Sequence, residues 1–174
     1  MEKKNYMTFW EHVDELRKRI IFSLLSIFLF AIIGYFFSEY IKEFLMALID
    51  FQIDKNSEHM RSAYFSPHAP FMLYISISIF FGLFLSMPVI MYNILKFVRP
   101  AIKKENFITF ILTLLFSIIL FATGVFFTYS ILIPVSLEFL ISFAEDENIF
   151  LSINSILSLI LWVMFSIGLL FQMP

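Results

Sequence analysis

The chain has 174 residues, 60% of them hydrophobic and only 15% charged, with a mean hydropathy of +0.89. Soluble domains carry about 25% charged residues, so this composition belongs to an integral membrane protein. A net charge of −2 gives no reason to expect a nucleic-acid partner, and with no cysteine there are neither disulfides nor thiolate metal sites.

The chain opens on its only segment that is both strongly charged and helically patterned, Thr8 to Ile20. Thr8 and Glu11 have the spacing of a capping box, which predicts a helix start. Phe9, Val13, Leu16 and Ile20 recur as one apolar stripe, while His12, Glu15 and Arg19 share another face. The ordinary reading is an amphipathic entry helix with a Glu15–Arg19 pair worth ~0.2–0.5 kcal/mol. The sharper reading is a binding patch held at a membrane surface.

Four uncharged runs follow: 20–37 (18 residues), 71–95 (25), 107–137 (31) and 149–174 (26). Each is near or above the ~20 residues that cross a hydrocarbon core, so the expected fold is all-α and polytopic. The first run is longer than a signal-peptide core and no small-x-small cleavage site follows it, so it is not read as cleavable. Residues 1–19 are then a cytoplasmic amphipathic segment, 96–106 a cytoplasmic loop, and 38–70 and 138–148 outer loops. Nine of the twelve basic residues fall in the first two segments and nine of the fourteen acids in the outer two. This bias predicts a cytoplasmic N-terminus.

The 38–70 stretch carries Tyr40, Ile41, Phe44, Leu45 and Leu48 at the spacing of an amphipathic helix lying along the outer surface. Pro70 suits the first turn of the next helix. Pro88 and Pro134 lie inside runs two and three, and a proline there removes a backbone hydrogen bond and kinks a helix. Ser86 and Ser130 are candidates to satisfy the freed carbonyls. Two kinked helices suggest a concave wall. Each run holds one glycine, namely Gly34, Gly82, Gly124 and Gly168, with no small-xxx-small pair to mark helix packing strongly. Asn154 and Gln172 are the conspicuous amides of the last run. Gln172 reads either as a functional polar group in mid-membrane or as an ordinary interhelical hydrogen bond. The run ends at Pro174 without a basic anchor, from which a truncated chain is expected.

Several fragments in order resemble the TatC family, the multi-spanning receptor of the twin-arginine protein translocase. His12-Val-Asp-Glu15-Leu-Arg17-Lys-Arg19 is similar to its entry motif, and Ser66-Pro…Pro70-Phe to the start of its second helix. Gly82 to Pro100 resembles its second helix and first cytoplasmic loop, Gly124…Phe127…Tyr129…Pro134 its third helix, and Gly168 to Pro174 its fourth. The resemblance covers residues 9–174. It implies a kinked-helix assembly with a concave face, of which four of six family helices are present, in a bacterial-type cytoplasmic membrane.

It also implies binding of twin-arginine signal peptides of folded cargo, single-span Tat partner subunits (TatA/TatB type), and a homo-oligomer of this subunit within a larger complex. Export would be driven by the proton gradient acting through those partners, since no nucleotide motif is present. Carried over by position, Glu15 matches the acid that meets the arginine pair, Leu16 and Arg17 its neighbours, Phe97 the loop aromatic and Gln172 the intramembrane Glu/Gln. Where the family has a second glutamate, this chain has Asn106, with Glu105 one residue early, so either fills that position. Ala69 stands where the family has an outer glutamate.

Read from the residues, no catalytic set or phosphate loop is visible, and neither a cofactor nor a metal is expected. His59 and His68 read as solvated loop residues. Two other functions compete: a small solute transporter or channel subunit, which kinked helices and buried amides would suit, and an inactive truncated fragment.

Overall fold

The computed structural model describes residues 9–56, 61–98, 107–142 and 150–173. Within them the chain forms α1 (Phe9–Asn56), β1 (Arg61–Ala63), α2 (Ala69–Val98), α3 (Phe107–Phe127), a π-helical turn (Thr128–Leu132), α4 (Ile133–Ser142), β2 (Phe150–Ser152) and α5 (Ile153–Leu170). Four segments are long and apolar enough to cross a membrane: Trp10–Phe51, Ala69–Val98, Phe107–Leu140 and Ile153–Leu170. The start of α1, the end of α2 and the start of α3 share one side, here called the basic side.

The first departure from the sequence reading is α1. The spacing past Ser38 predicts a separate surface helix, but a single helix of 48 residues runs through that boundary. At 1.5 Å per residue it is ~72 Å long, more than twice a ~30 Å hydrocarbon core. No helix breaker stands between Gly34 and Asn56. Past Ser38, Leu45 and Ile49 are buried against the rest of the molecule, while Tyr40 and Phe44 remain exposed. Part of the periodicity therefore reflects burial against protein.

The core lies toward the side opposite the basic one. It joins Leu45 and Ile49 of α1, Leu73 and Ile77 of α2, Ile133 and Leu137 of α4, and Leu157 and Ile160 of α5. A second unexpected feature staples that side. β1 and β2 pair in parallel, Arg61 opposite Phe150 and Ala63 opposite Ser152, tying part of the 38–70 connection to the start of the run read as the fourth span, 149–174. Immediately after β2, the Ser152 hydroxyl accepts the Ser155 N–H and caps α5. At the start of α2, Ala69 N–H donates to Ser66 O at 3.1 Å, and Pro70 sits in the first turn as expected.

The two interior prolines are handled differently. α2 carries Pro88 without a break. Ser86, fully buried, donates to Leu83 O at 3.0 Å rather than to Phe84 O, the carbonyl four residues before the proline. In the third span the helix widens into the π turn just before Pro134, and Ile133 N–H reaches Thr128 O. Ser130, the expected partner, lies inside that turn. Buried Thr128 donates back to Gly124 O at 2.8 Å instead, a bond that itself bends helices. A proline and a π turn are both recognised causes of helix bending.

All four glycines lie at helix contacts. A Cβ on Gly82 would stand 2.7 Å from Ile27 O and 2.8 Å from Ala31 N, so α2 touches the backbone of α1 there. A Cβ on Gly124 would lie 3.2 Å from Gly168 Cα, which brings α3 and α5 equally close. Small residues that let backbones approach are the usual cement of membrane helices. The phenylalanines divide between two surroundings. Phe28 and Phe36 are exposed on α1, whereas Phe80, Phe84, Phe121 and Phe165 pack ring against ring between α2, α3 and α5.

Gly82→Ala is expected to cost about 1–3 kcal/mol, because the atoms it meets are backbone and cannot rotate away. Gly168→Ala meets the Phe121 ring edge and should cost less. Reversible unfolding in mixed micelles measures both, and equal stability of Gly82→Ala and the parent would refute the contact.

Candidate functional site

Among the described residues, two of the polar groups fall at residues singled out in the sequence, Glu15 at the basic side and Gln172 deep in the bundle. At the basic side the polar face of α1, not its apolar stripe, turns toward α2. Val13, Leu16 and Ile20 are exposed, whereas His12, Glu15 and Arg19 are partly buried. This inverts the pattern of a soluble helix.

Glu15 and Arg19 form an ion pair one turn apart. Arg19 donates through Nε at 3.1 Å and through Nη2, both to Glu15 Oε1. The pair is shielded, with side chains 20% and 15% exposed for Glu15 and Arg19 respectively. Glu15 Oε2 is buried and accepts no hydrogen bond from the described residues. One oxygen of the carboxylate is therefore spent within the helix and the other is unsatisfied.

Around the pair, the His12 and Phe97 rings stack with centroids 4.2 Å apart and planes at 16°. One turn into the membrane from Arg19, Ser23 Oγ accepts from Asn93 Nδ2 at 3.1 Å, and Asn93 is buried. Leu16, Arg19 and Phe97 line one cavity of about 300 Å³ between α1 and α2. Of the residues expected at a binding site, Leu16 and Phe97 line that cavity, whereas Glu15 does not line it and is joined to it through its ion pair with Arg19. Arg17 is exposed and does not line that cavity. Glu105 and Asn106 lie outside the described residues. Sequence reasoning misses the Asn93–Ser23 bond and the stacking of His12 on Phe97. Both join residues more than sixty positions apart, and only an α1–α2 register would disclose them.

The second group is Gln172. Its Nε2 donates to Ser117 O at 2.6 Å. Ser117 is ten residues into α3, or ~15 Å from its start. Gln172 is therefore about half a hydrocarbon thickness from the basic side. It lines a groove of about 460 Å³ whose walls are α2 around Pro88, α3 around Phe121 and the π turn at Tyr129. Both expected roles meet here, since the amide makes an interhelical bond and also faces the groove. Asn154, the other amide, leaves Oδ1 buried without a hydrogen bond from the described residues near the start of α5.

No group of three or more His, Asp or Glu side chains suited to a metal occurs among the described residues.

The TatC family model, described as Sec-independent protein translocase protein (TatC), matches residues 11–174. The Sec-independent protein translocase protein TatC of Aquifex aeolicus is 32% identical over 171 residues, covering 97% of this chain and 70% of that protein. TatCy of Bacillus subtilis is 32% identical, with coverages of 99% and 66%. The chloroplastic TATC of Pisum sativum is 34% identical, with coverages of 97% and 46%. A crystal structure of the twin-arginine translocase receptor TatC matches the fold with a TM-score of 0.86 at 31% identity, covering 94% of this chain and 71% of that one. The chain thus spans between 46% and 70% of the length of these three curated relatives.

Gln172→Leu removes one interhelical bond but leaves no orphaned carbonyl, because Ser117 O keeps its place in the α3 ladder. The expected loss is ~0.6 kcal/mol, the average for such bonds in membranes. A loss above ~2 kcal/mol in the same unfolding assay would show that Gln172 is held by more than this bond.

Proposed function

Because the chain belongs to the TatC family of Sec-independent protein translocase proteins, we propose that it binds twin-arginine signal peptides at the basic side and nucleates a translocase for folded proteins. The observation that carries this reading is the half-satisfied carboxylate of Glu15. A guanidinium is a planar fork of donors that suits a carboxylate in two-point contact. Glu15 offers one unbonded oxygen and one oxygen that Arg19 occupies. A guest arginine takes the first directly and the second by displacing Arg19.

Magnitudes favour this place over an open surface. A fully exposed ion pair contributes only about 0–1 kcal/mol. Glu15 is largely shielded, and hydrogen bonds to charged groups contribute about 1.5–3 kcal/mol when desolvated. Displacing Arg19 breaks a charged pair in the same shielded place, so the exchange of one guanidinium for another is near balance and the net gain comes from the Oε2 bond that Arg19 does not make. One carboxylate serves one guanidinium in this way, so the second arginine needs another acceptor, for which Glu105 or Asn106 is the proposed position. The stacked Phe97 ring gives the guest an apolar and π-bearing floor.

The charge bias supports a cytoplasmic basic side, and hence an N-terminus in the cytoplasm of a bacterial-type inner membrane. Single-span partner subunits would pack against the groove that Gln172 lines, and further copies of this subunit would complete the assembly. Translocation energy would come from the transmembrane proton gradient through those partners.

A photo-crosslinker at position 15 should label a twin-arginine peptide and not its Lys-Lys counterpart, and equal labelling of both would sink the reading. Glu15→Gln should weaken the twin-arginine peptide by tenfold or more, in line with about 1.5–3 kcal/mol for a charged hydrogen bond. Arg19→Gln should instead strengthen it by about tenfold or more, because the guest no longer has a shielded charged pair to break, worth about 1.5–3 kcal/mol.

A further inference from the structure

We propose that the groove between α1 and α2 opposite the Phe97 cavity is a binding site for one anionic phospholipid of the leaflet on the basic side. The groove has a volume of about 460 Å³. Arg19 and Lys96 stand at its rim, and Phe22, Leu25, Leu29 and Val89 line its length. Among the described residues, no aspartate or glutamate lines it. A cationic rim above an apolar slot matches a phosphate above an acyl chain.

Its dimensions set the depth. Arg19 immediately precedes the first apolar run and Lys96 immediately follows the second, so both cations stand at headgroup level. From Arg19 to Leu29 is ten residues, or ~15 Å of helix. That equals half of a ~30 Å hydrocarbon core, the reach of one leaflet. A small free anion would satisfy the rim and leave the apolar length empty, whereas a zwitterionic lipid would fill the length and bring its own cation to the rim.

The rim has donors to spare. Arg19 has five N–H donors and commits only Nε and Nη2 to Glu15, which leaves Nη1 for a phosphate oxygen. The Lys96 ammonium sits over the Tyr92 ring, 5.4 Å from its centroid. An aromatic face holds the ammonium in place without using its donors, so it remains available to an anion. Tyr92 in turn packs edge-on against Phe110 of α3, 5.9 Å away. A lipid seated here touches α1 and α2 and borders the α2–α3 contact, and would act as an internal wedge between helices that are held to each other chiefly by small residues.

Native mass spectrometry of the purified protein offered equal phosphatidylglycerol and phosphatidylcholine tests the site. One phosphatidylglycerol should be retained preferentially. Lys96→Gln should reduce that preference about fivefold, the factor expected for one basic residue at a lipid surface. Lys18→Gln should leave it intact, since Lys18 is exposed and does not line the groove. Leu25→Trp, which fills the slot and keeps both cations, should abolish retention. Equal effects of Lys96→Gln and Lys18→Gln would reduce the preference to diffuse surface charge and overturn the site. Displacement of the lipid by glycerol phosphate, or full retention in Leu25→Trp, would also overturn it. Far-UV helicity matched to the parent is required of each variant. Glycerol phosphate competition on the unmodified protein tests the site without relying on the folding of any variant.

Discussion

In a hydrocarbon solvent an apolar side chain gains nothing by leaving lipid for protein, so these helices are held by close contact and by a few polar bonds. The contact on which most depends is Gly82 of α2 against the backbone of α1 at Ile27 and Ala31. It fixes the register of the two helices at mid-depth. Toward the basic side, that register puts Asn93 on Ser23 about three turns along α2 and Phe97 on His12 about four turns along. In the other direction it puts Lys42 Nζ 3.0 Å from the Tyr74 hydroxyl and leads α1 into the buried core. A side chain at position 82 would push α2 away from the α1 backbone at Ile27 and Ala31, and the His12–Phe97 and Ser23–Asn93 contacts would lose their geometry.

The two sides of the molecule are built on different principles. Away from the basic side, four helices converge on a core of Leu and Ile, and a short parallel strand pair joins the connections. Toward the basic side, α2 and α3 meet through the rings of Tyr92 and Phe110, and grooves open between the helices. Pro88 and the π turn before Pro134 lie between these zones. A rigid closed end and a grooved end are what a receptor surface requires, since a fixed scaffold holds the site while the unfilled slots accept guests.

Much of this is legible in the sequence because the membrane imposes simple patterns. Uncharged runs mark the four spans, and the start of α2 at Ser66 and Pro70 is readable from turn chemistry. The family resemblance rests on five short fragments, and the match extends over residues 11–174. The failures have physical causes. The apolar spacing past Ser38 suggests lipid along its length, whereas Leu45 and Ile49 meet protein, and spacing alone does not distinguish the two. The strand pair involves three residues on each side, too few for alternation to register. The glycines lack a small-xxx-small signature because a contact can take its small residues from two different helices, as Gly124 and Gly168 do. The inward turn of the polar face of α1 becomes readable only once α2 is known to pack on it.

That inward turn changes how the entry helix works. Isolated on a solvated helix, Glu15 and Arg19 would be a weak pair, freely exchanging with water. Packed against α2, the pair loses most of its water but not its incompleteness: Oε1 is held and Oε2 is not. A buried carboxylate oxygen without a donor is costly to leave so, and the cost falls on the empty state alone. Arg19 limits it by supplying a counter-charge, and because it binds only one oxygen it does so without closing the site. A lysine at that position would offer a point charge and no fixed fork, whereas a guanidinium can swing from a carboxylate to a neighbouring anion while keeping paired donors on each. The chain therefore holds in its first helix an internal copy of the group that the proposed guest presents. Selectivity for arginine then comes from replacing like with like in a shielded place, where a lysine guest would satisfy the charge but not the geometry.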